Sequence, residues 1–268
     1  MVSSPPGSPS DLNAMPAAAP PLKDKVVLIT GAARRIGAAI ALAFHERGAR
    51  VAVHYLSSEA EAVNLVAAMN ARRRGSAVAI AADLHDMAAL AALPGAAVKA
   101  FGRLDVLINN ASTFYPTPVG QITAAQFDDL IGTNLRAPLF LAQAAAAELR
   151  LRDGLILNIA DIHALRPLKR HAVYCAAKAA LVMLTRSLAR ELGPEIRVNA
   201  IAPGSVMWPE NGVDEELRRR IVAHTALKRS GSPEDIAKAA LFFATDAPFV
   251  TGEVLAVDGG RLLGGEDR

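Results

Sequence analysis

Tyr174 and Lys178 stand four residues apart in a run that reads as helix, so their side chains share one helix face. An ammonium beside a phenol favours the phenolate and lowers the tyrosine pKa, which makes the pair a proton-donating unit. Asp161 stands thirteen residues earlier, at the head of D-I-H-A-L-R-P-L-K-R-H-A-V-Y-C-A-A-K, and brings a carboxylate into the same segment. A carboxylate close to a developing alkoxide raises its energy, so it is a poor partner for ketone reduction. Reduction of a C=N bond is different, because carbon takes the hydride, nitrogen takes a proton and the protonated substrate is cationic. A carboxylate favours that form and can return a proton to the tyrosine. Asp161 is therefore expected to orient and recharge Tyr174; the competing reading is a carboxylate that merely caps a helix.

A second group of residues could hold a nucleotide. The run V-V-L-I-T turns at G-A-A-R-R-I-G, where Gly31 permits a tight turn and Gly37 permits close helix–strand packing. A pyrophosphate fits the helix N-terminus so created. Asp83, after V-A-I-A-A, could accept a hydrogen bond from an adenine amino group, and Asn109-Asn110-Ala111 offers backbone and amide groups to the ribose. The run V-A-V-H-Y-L-S-S ends without the carboxylate that a ribose 2′-hydroxyl needs. Arg35, His54, Ser57 and Ser58 supply donors and positive charge there instead, which favours a 2′-phosphate and hence NADPH, with only Glu59 nearby in opposition.

The elements that must position these groups alternate. Strands are predicted at 26–30, 50–55, 77–81, 104–109, 155–159, 197–202 and 254–257, several apolar on consecutive residues as in a sheet buried on both faces. Helices are predicted at 36–47, 59–74, 87–101, 124–150, 172–192 and 233–244, the fourth broken near Gly132 or Pro138. The alternation predicts an α/β, doubly wound Rossmann fold with a seven-stranded parallel sheet and helices on both faces, binding ligands beyond the carboxyl ends of its strands. Residues 23–268 read as one domain, behind a Pro-, Ser- and Ala-rich segment, 1–22, that reads as a disordered leader. The irregular stretch 204–214, with M-W-P-E-N-G at its heart, is either a substrate lid or a surface connection; Trp208 in it could roof a substrate.

Composition removes other classes. Basic and acidic residues number 29 and 26, are scattered and give a net charge of +3, so a nucleic-acid partner is not expected. The single cysteine, Cys175, excludes an internal disulfide framework and fits a reducing, cytoplasmic setting. No uninterrupted apolar run of about 20 residues predicts a membrane span, and no His/Cys/Asp cluster has zinc spacing, so no metal is expected. His163 and His171 read as rim residues, and Cys175 as helix packing.

The glycine turn, N-N-A-S at 109–112, Asn134, Y-C-A-A-K at 174–178, R-V-N-A-I-A-P-G at 197–204 and V-D-G-G at 257–260 resemble the short-chain dehydrogenase/reductase family from Lys25 to Gly260. The resemblance implies that Tyr174 donates the proton, that Lys178 lowers its pKa and holds the nicotinamide ribose, and that Asn134 anchors a water relay. It completes the cofactor set with Ile36, Tyr55, Leu84, Asn110, Ala111, Ser112, Pro203, Gly204 and Ser205, and it implies a homotetramer. Two departures narrow it: Arg35 stands where the family usually has glycine, and Asp161 where it usually has serine. With H-Y-L-S-S at 54–58 and N-A-S-T-F-Y-P-T-P at 110–118, these resemble the pteridine reductases. That resemblance implies that Phe114 stacks a pterin or folate, that Arg35 reaches cofactor and pterin, and that Ser112, Asp161, Tyr174 and Trp208 complete the substrate pocket. A carbonyl or 3-oxoacyl reductase, and a dinucleotide-sensing protein without chemistry, are the alternatives; Asp161 with Phe114 argues against the first, and intact Tyr174, Lys178 and Asn134 against the second.

Overall fold

Consecutive Val, Ile and Leu residues build the centre of a parallel sheet in the computed structural model, which describes residues 21–206 and 214–264. The strands are β1 (Val26–Ile29), β2 (Arg50–Tyr55), β3 (Ala77–Ala81), β4 (Val106–Asn109), β5 (Leu155–Ile159), β6 (Arg197–Pro203) and β7 (Val254–Val257), in the order β3-β2-β1-β4-β5-β6-β7. All neighbours run parallel, with Leu28 opposite Ala52 on one side and Leu107 on the other. The doubly wound architecture expected from the alternation is the one observed.

Helices cover both faces. On one, α1 (Arg35–Glu46), α2 (Glu59–Arg72) and α8 (Pro233–Thr245) pack Ile40, Phe44, Met69 and Phe243 against Val27, Ile29, Val51 and Val53. On the other, α3 (Met87–Phe101), α5 (Ala137–Arg150) and α6 (Ala172–Leu192) pack Leu90, Leu93, Leu141 and Leu188 against Val26, Leu28, Leu107 and Ile156. Each such large side chain taken fully out of water contributes roughly 1.5–3 kcal/mol. Buried Asp105 fastens the start of β4 to the start of β1: it accepts from the Val26 backbone N–H at 2.9 Å and pairs with Lys25 at 3.2 Å.

One expectation is decided between its two alternatives, and others are corrected. The segment 124–150 breaks at Gly132, where α4 (Ala124–Ile131) passes into a π-helical turn, Gly132–Arg136, before α5; Pro138 sits in the first turn of α5, where a missing N–H costs nothing. A further helix not expected from the sequence, α7 (Glu215–Ala223), starts after Asp214, whose side chain accepts from the Glu216 N–H at 3.2 Å. Its run E-E-L-R-R-R has too few apolar residues to show a period, so a cap and a charge pattern make the helix. Leu22, assigned to the leader, is buried in the core and bonded through its N–H to the Arg47 carbonyl at 3.1 Å. The 21-residue α6 is also long and apolar enough to cross a membrane by length and composition, which the search for unbroken runs missed; in the fold it is a core helix with Lys178 and Leu181 inside.

Candidate active site

The strand order reverses between β1 and β4, and the carboxyl ends of the strands on either side open there into a cavity of about 430 Å³. The turn after β1 forms its floor. Gly31 has φ +59°, and a Cβ on Gly37 would lie 2.4 Å from the Gly31 carbonyl oxygen and 2.6 Å from Asn110 Nδ2, so neither position accepts a larger residue without moving the turn. The first turn of α1 carries no acidic residue, and Arg34 and Arg35 flank it. Arg35 has φ +57°, in the left-handed region. The backbone keeps the shape that glycine adopts readily, and a guanidinium is placed there at a cost of order 1 kcal/mol or more. An anion-accepting helix start, an unfilled glycine cradle and two arginines together fit a phosphorylated dinucleotide.

Gly31, Arg35, Ile36, Gly37, Tyr55, Ser57, Ser58, Asp83, Leu84, Asn110, Ala111 and Ser112, the residues expected at the cofactor, all line this cavity. His54 also borders it, but with a different role. Its Nδ1 accepts from the Gly31 N–H at 3.0 Å and its Nε2 faces the Ala82 carbonyl at 3.1 Å, which sets the tautomer. Burial lowers its pKa. Both nitrogens being spent on backbone, His54 pins the glycine turn rather than meeting a phosphate. Asn110 does likewise, its amide donating to the Thr30 and Gly31 carbonyls at 2.9 Å each, and the Asn109 amide donates to Asn158 at 2.8 Å. The ribose-facing amide groups expected there are thus internal struts. Arg34, His85, Thr133 and Asp129 line the cavity too and were not anticipated.

Beyond Ser112 lie Tyr174, Asp161 and Lys178. The Tyr174 hydroxyl donates to Asp161 Oδ2 at 2.7 Å, while Asp161 Oδ1 accepts from the His163 N–H at 2.8 Å and caps the short 3-10 turn Ile162–Ala164. One oxygen thus caps the turn while the other meets the tyrosine. Lys178 is buried, donates to the Ile159 carbonyl at 2.9 Å and lies 5.7 Å from the Tyr174 ring centre. The expected lowering of the tyrosine pKa is not found. Burial, then the charge of Asp161 and the hydrogen bond to it, raise it; a hydrogen bond with Ser112 pulls the other way. The lysine responds instead: burial lowers its pKa to about 8 against the opposing pull of Asp161.

Asn134 sits in the π-helical turn, where its Nδ2 donates to the Leu130 and Thr113 carbonyls at 3.0 Å each and its Oδ1 accepts from Ser112 Oγ at 2.7 Å. The Asn134 side chain holds the Ser112–Thr113 loop, so that Ser112 joins the cavity to Tyr174. Phe114 is half-exposed at the rim, edge-on to Tyr174 at 4.8 Å and stacked on His171 at 4.7 Å with an 11° interplanar angle. His171 is therefore part of the aromatic wall, not a bystander.

Pro203 and Gly204 close β6, and a Cβ on Gly204 would lie 2.7 Å from Asp258 Cα. Ser205, expected at the cofactor, faces elsewhere: it accepts from Arg261 at 2.6 Å and lines a second cavity of about 530 Å³ beside α8. Trp208 lies outside the described residues.

Comparison with known proteins agrees with this geometry. A family described as enoyl-(acyl carrier protein) reductase matches residues 31–261. Pteridine reductase 1 of Leishmania tarentolae is 36% identical, over 89% of this chain and 96% of its own. A 3-oxoacyl-[acyl-carrier-protein] reductase of Staphylococcus aureus is also 36% identical, over 89% and 98%. Among solved structures, a blue fluorescent protein from a metagenomic library, in complex with NADPH, superposes with a TM-score of 0.85 at 38% identity, over 90% of this chain and 98% of that one.

Proposed function

Because the chain belongs to the short-chain dehydrogenase/reductase family, we propose that it is an NADPH-dependent pteridine reductase. Its substrates are the C=N bonds of dihydropterins, with dihydrofolate a further candidate. The observation that carries this reading is the 2.7 Å hydrogen bond from the Tyr174 hydroxyl to Asp161.

NADPH, when bound, supplies the hydride. Arg35 and the α1 N-terminus would attract its phosphates, Gly31 and Gly37 would leave room for them, and Asp83 with Leu84 would hold the adenine. Phe114 offers a flat apolar face for a bicyclic ring. Tyr174, kept protonated by burial and by Asp161, gives its proton to the ring nitrogen as the carbon is reduced. Asp161 compensates the positive charge that gathers on the substrate, and after turnover it takes a proton from solvent and hands it to the Tyr174 phenolate. Lys178 holds charge beneath the ring of Tyr174. A carbonyl substrate would need donors around an alkoxide, and the Asp161 carboxylate is the opposite. The likeness to a 3-oxoacyl reductase at equal identity keeps that second reading in the test.

Following NADPH absorbance with dihydrobiopterin, dihydrofolate and an acetoacetyl thioester separates the readings. Oxidation with a pterin and none with the thioester is expected. The reverse pattern makes the protein a carbonyl reductase, and NADPH binding without turnover makes it a sensor. The proposal extends to a homotetramer, which light scattering on the purified chain checks, and to a cytoplasmic location, which cell fractionation checks.

A further inference from the structure

The loop after β3 and the π-helical turn are joined by one side chain. His85 Nε2 lies 3.0 Å from Thr133 Oγ1 and 3.1 Å from Asp129 Oδ1, and its Nδ1 is 3.4 Å from an Arg136 guanidinium nitrogen. A proton on Nε2 serves all three, donated to the carboxylate while Nδ1 accepts from the arginine. The imidazole occupies a notch that exists because residue 132 is glycine: a Cβ there would stand 2.6 Å from His85 Cε1. Asp129 is shared further, its Oδ2 accepting from the Tyr115 hydroxyl at 2.8 Å. Burial, then that bond and its charge, push the Tyr115 pKa up to about 12.

These contacts connect parts that the chain keeps far apart. On one side of His85 are Asp83 and Leu84 on the cavity wall, with the Asp83 carboxylate accepting from the His85 N–H at 2.8 Å. On the other is the turn that carries Asn134, and through Asn134 the Ser112 hydroxyl. Tyr115, the residue next to Phe114, ties that rim segment to the same cluster. The mechanism proposed above uses neither His85 nor Asp129.

We propose that His85 is a positioning residue that locks the adenine-side loop to the π-helical turn holding Asn134, so that filling the adenine end of the cavity orders the proton-donating end. The inference rests on the cofactor part of the proposed function and is independent of the pterin.

Fluorescence titration with NADPH and hydrogen exchange, both without substrate, test it. NADPH is expected to slow exchange at 82–86 and at 130–136 in the parent. In His85→Ala the Kd for NADPH should rise about tenfold and the protection at 130–136 should be lost, while that at 31–37 persists. His85→Gln, which keeps an N–H for Asp129, should return both towards the parent. Gly132→Ala provides an independent route, because alanine ordinarily favours a helix over glycine but here collides with the imidazole. It should weaken NADPH binding alone, and it should add nothing in His85→Ala, where the notch is vacant. Unchanged protection at 130–136 in His85→Ala, or additive losses in the double variant, overturns the proposal. A protein that binds NADPH as expected yet reduces no pterin leaves the coupling intact and refutes only the substrate.

Discussion

Asp161 serves two masters with its two oxygens: Oδ2 accepts from the Tyr174 hydroxyl at 2.7 Å and Oδ1 from the His163 N–H at 2.8 Å. The second bond fixes the carboxylate so that the first has a set direction, which is the kind of support an acid–base group requires. Four outcomes follow from this site.

Asp161→Ser keeps a small polar residue able to cap the 3-10 turn but removes the charge facing Tyr174. Pterin reduction should fall roughly 100-fold or more, the scale of a lost acid–base partner. Turnover of a simple ketone should hold or rise. Steady-state NADPH oxidation with both substrates checks it, and an unaltered pterin rate rules out the assigned role.

Lys178 carries its charge below about pH 8 and loses it above, because burial has brought its pKa down from 10.5. The kcat/KM profile should therefore decline as pH rises through about 8. The stability effect has the opposite sense. The unfolded lysine binds its proton more tightly, so folding is disfavoured at pH values below about 8 and recovers between 8 and 10.5. Lys178→Met should abolish activity yet raise Tm at pH 7 by several degrees, on the order of 3 kcal/mol. Calorimetry across that range checks the sign.

Arg35→Gly separates conformation from charge. Glycine relieves a left-handed φ of +57°, so the folded state should gain up to about 1 kcal/mol. Loss of the guanidinium should at the same time weaken NADPH more than NADH. Chemical denaturation and paired cofactor titrations read the two effects separately.

His171 and Phe114 stack at 4.7 Å. Phe114→Ala should raise the pterin KM about tenfold, near the upper end of what an aromatic pair contributes. His171→Ala should raise it less, and His171→Phe should restore it, because only the flat ring is needed to back Phe114. Equal KM values in all three variants would dismiss the wall.

The order of elements, the glycine turn and the Tyr174–Lys178–Asp161 set were legible because each depends on short sequence distances. Periodicity gives strands and helices, and a four-residue spacing gives a shared helix face. What the amino-acid types determined by themselves was a dinucleotide fold with a tyrosine, a lysine and a carboxylate gathered in one segment. What only the tertiary structure decided is where polar side chains spend their hydrogen bonds. His54 meets Gly31 across 23 residues, Asn110 meets Thr30 across 80, and His85 meets Thr133 across 48. No local pattern encodes such a partner; a buried donor or acceptor takes the one that packing brings within about 3 Å. The sign of the Tyr174 shift was lost in the same way, since four residues separate it from Lys178 but burial and a thirteen-residue loop bring Asp161 closer.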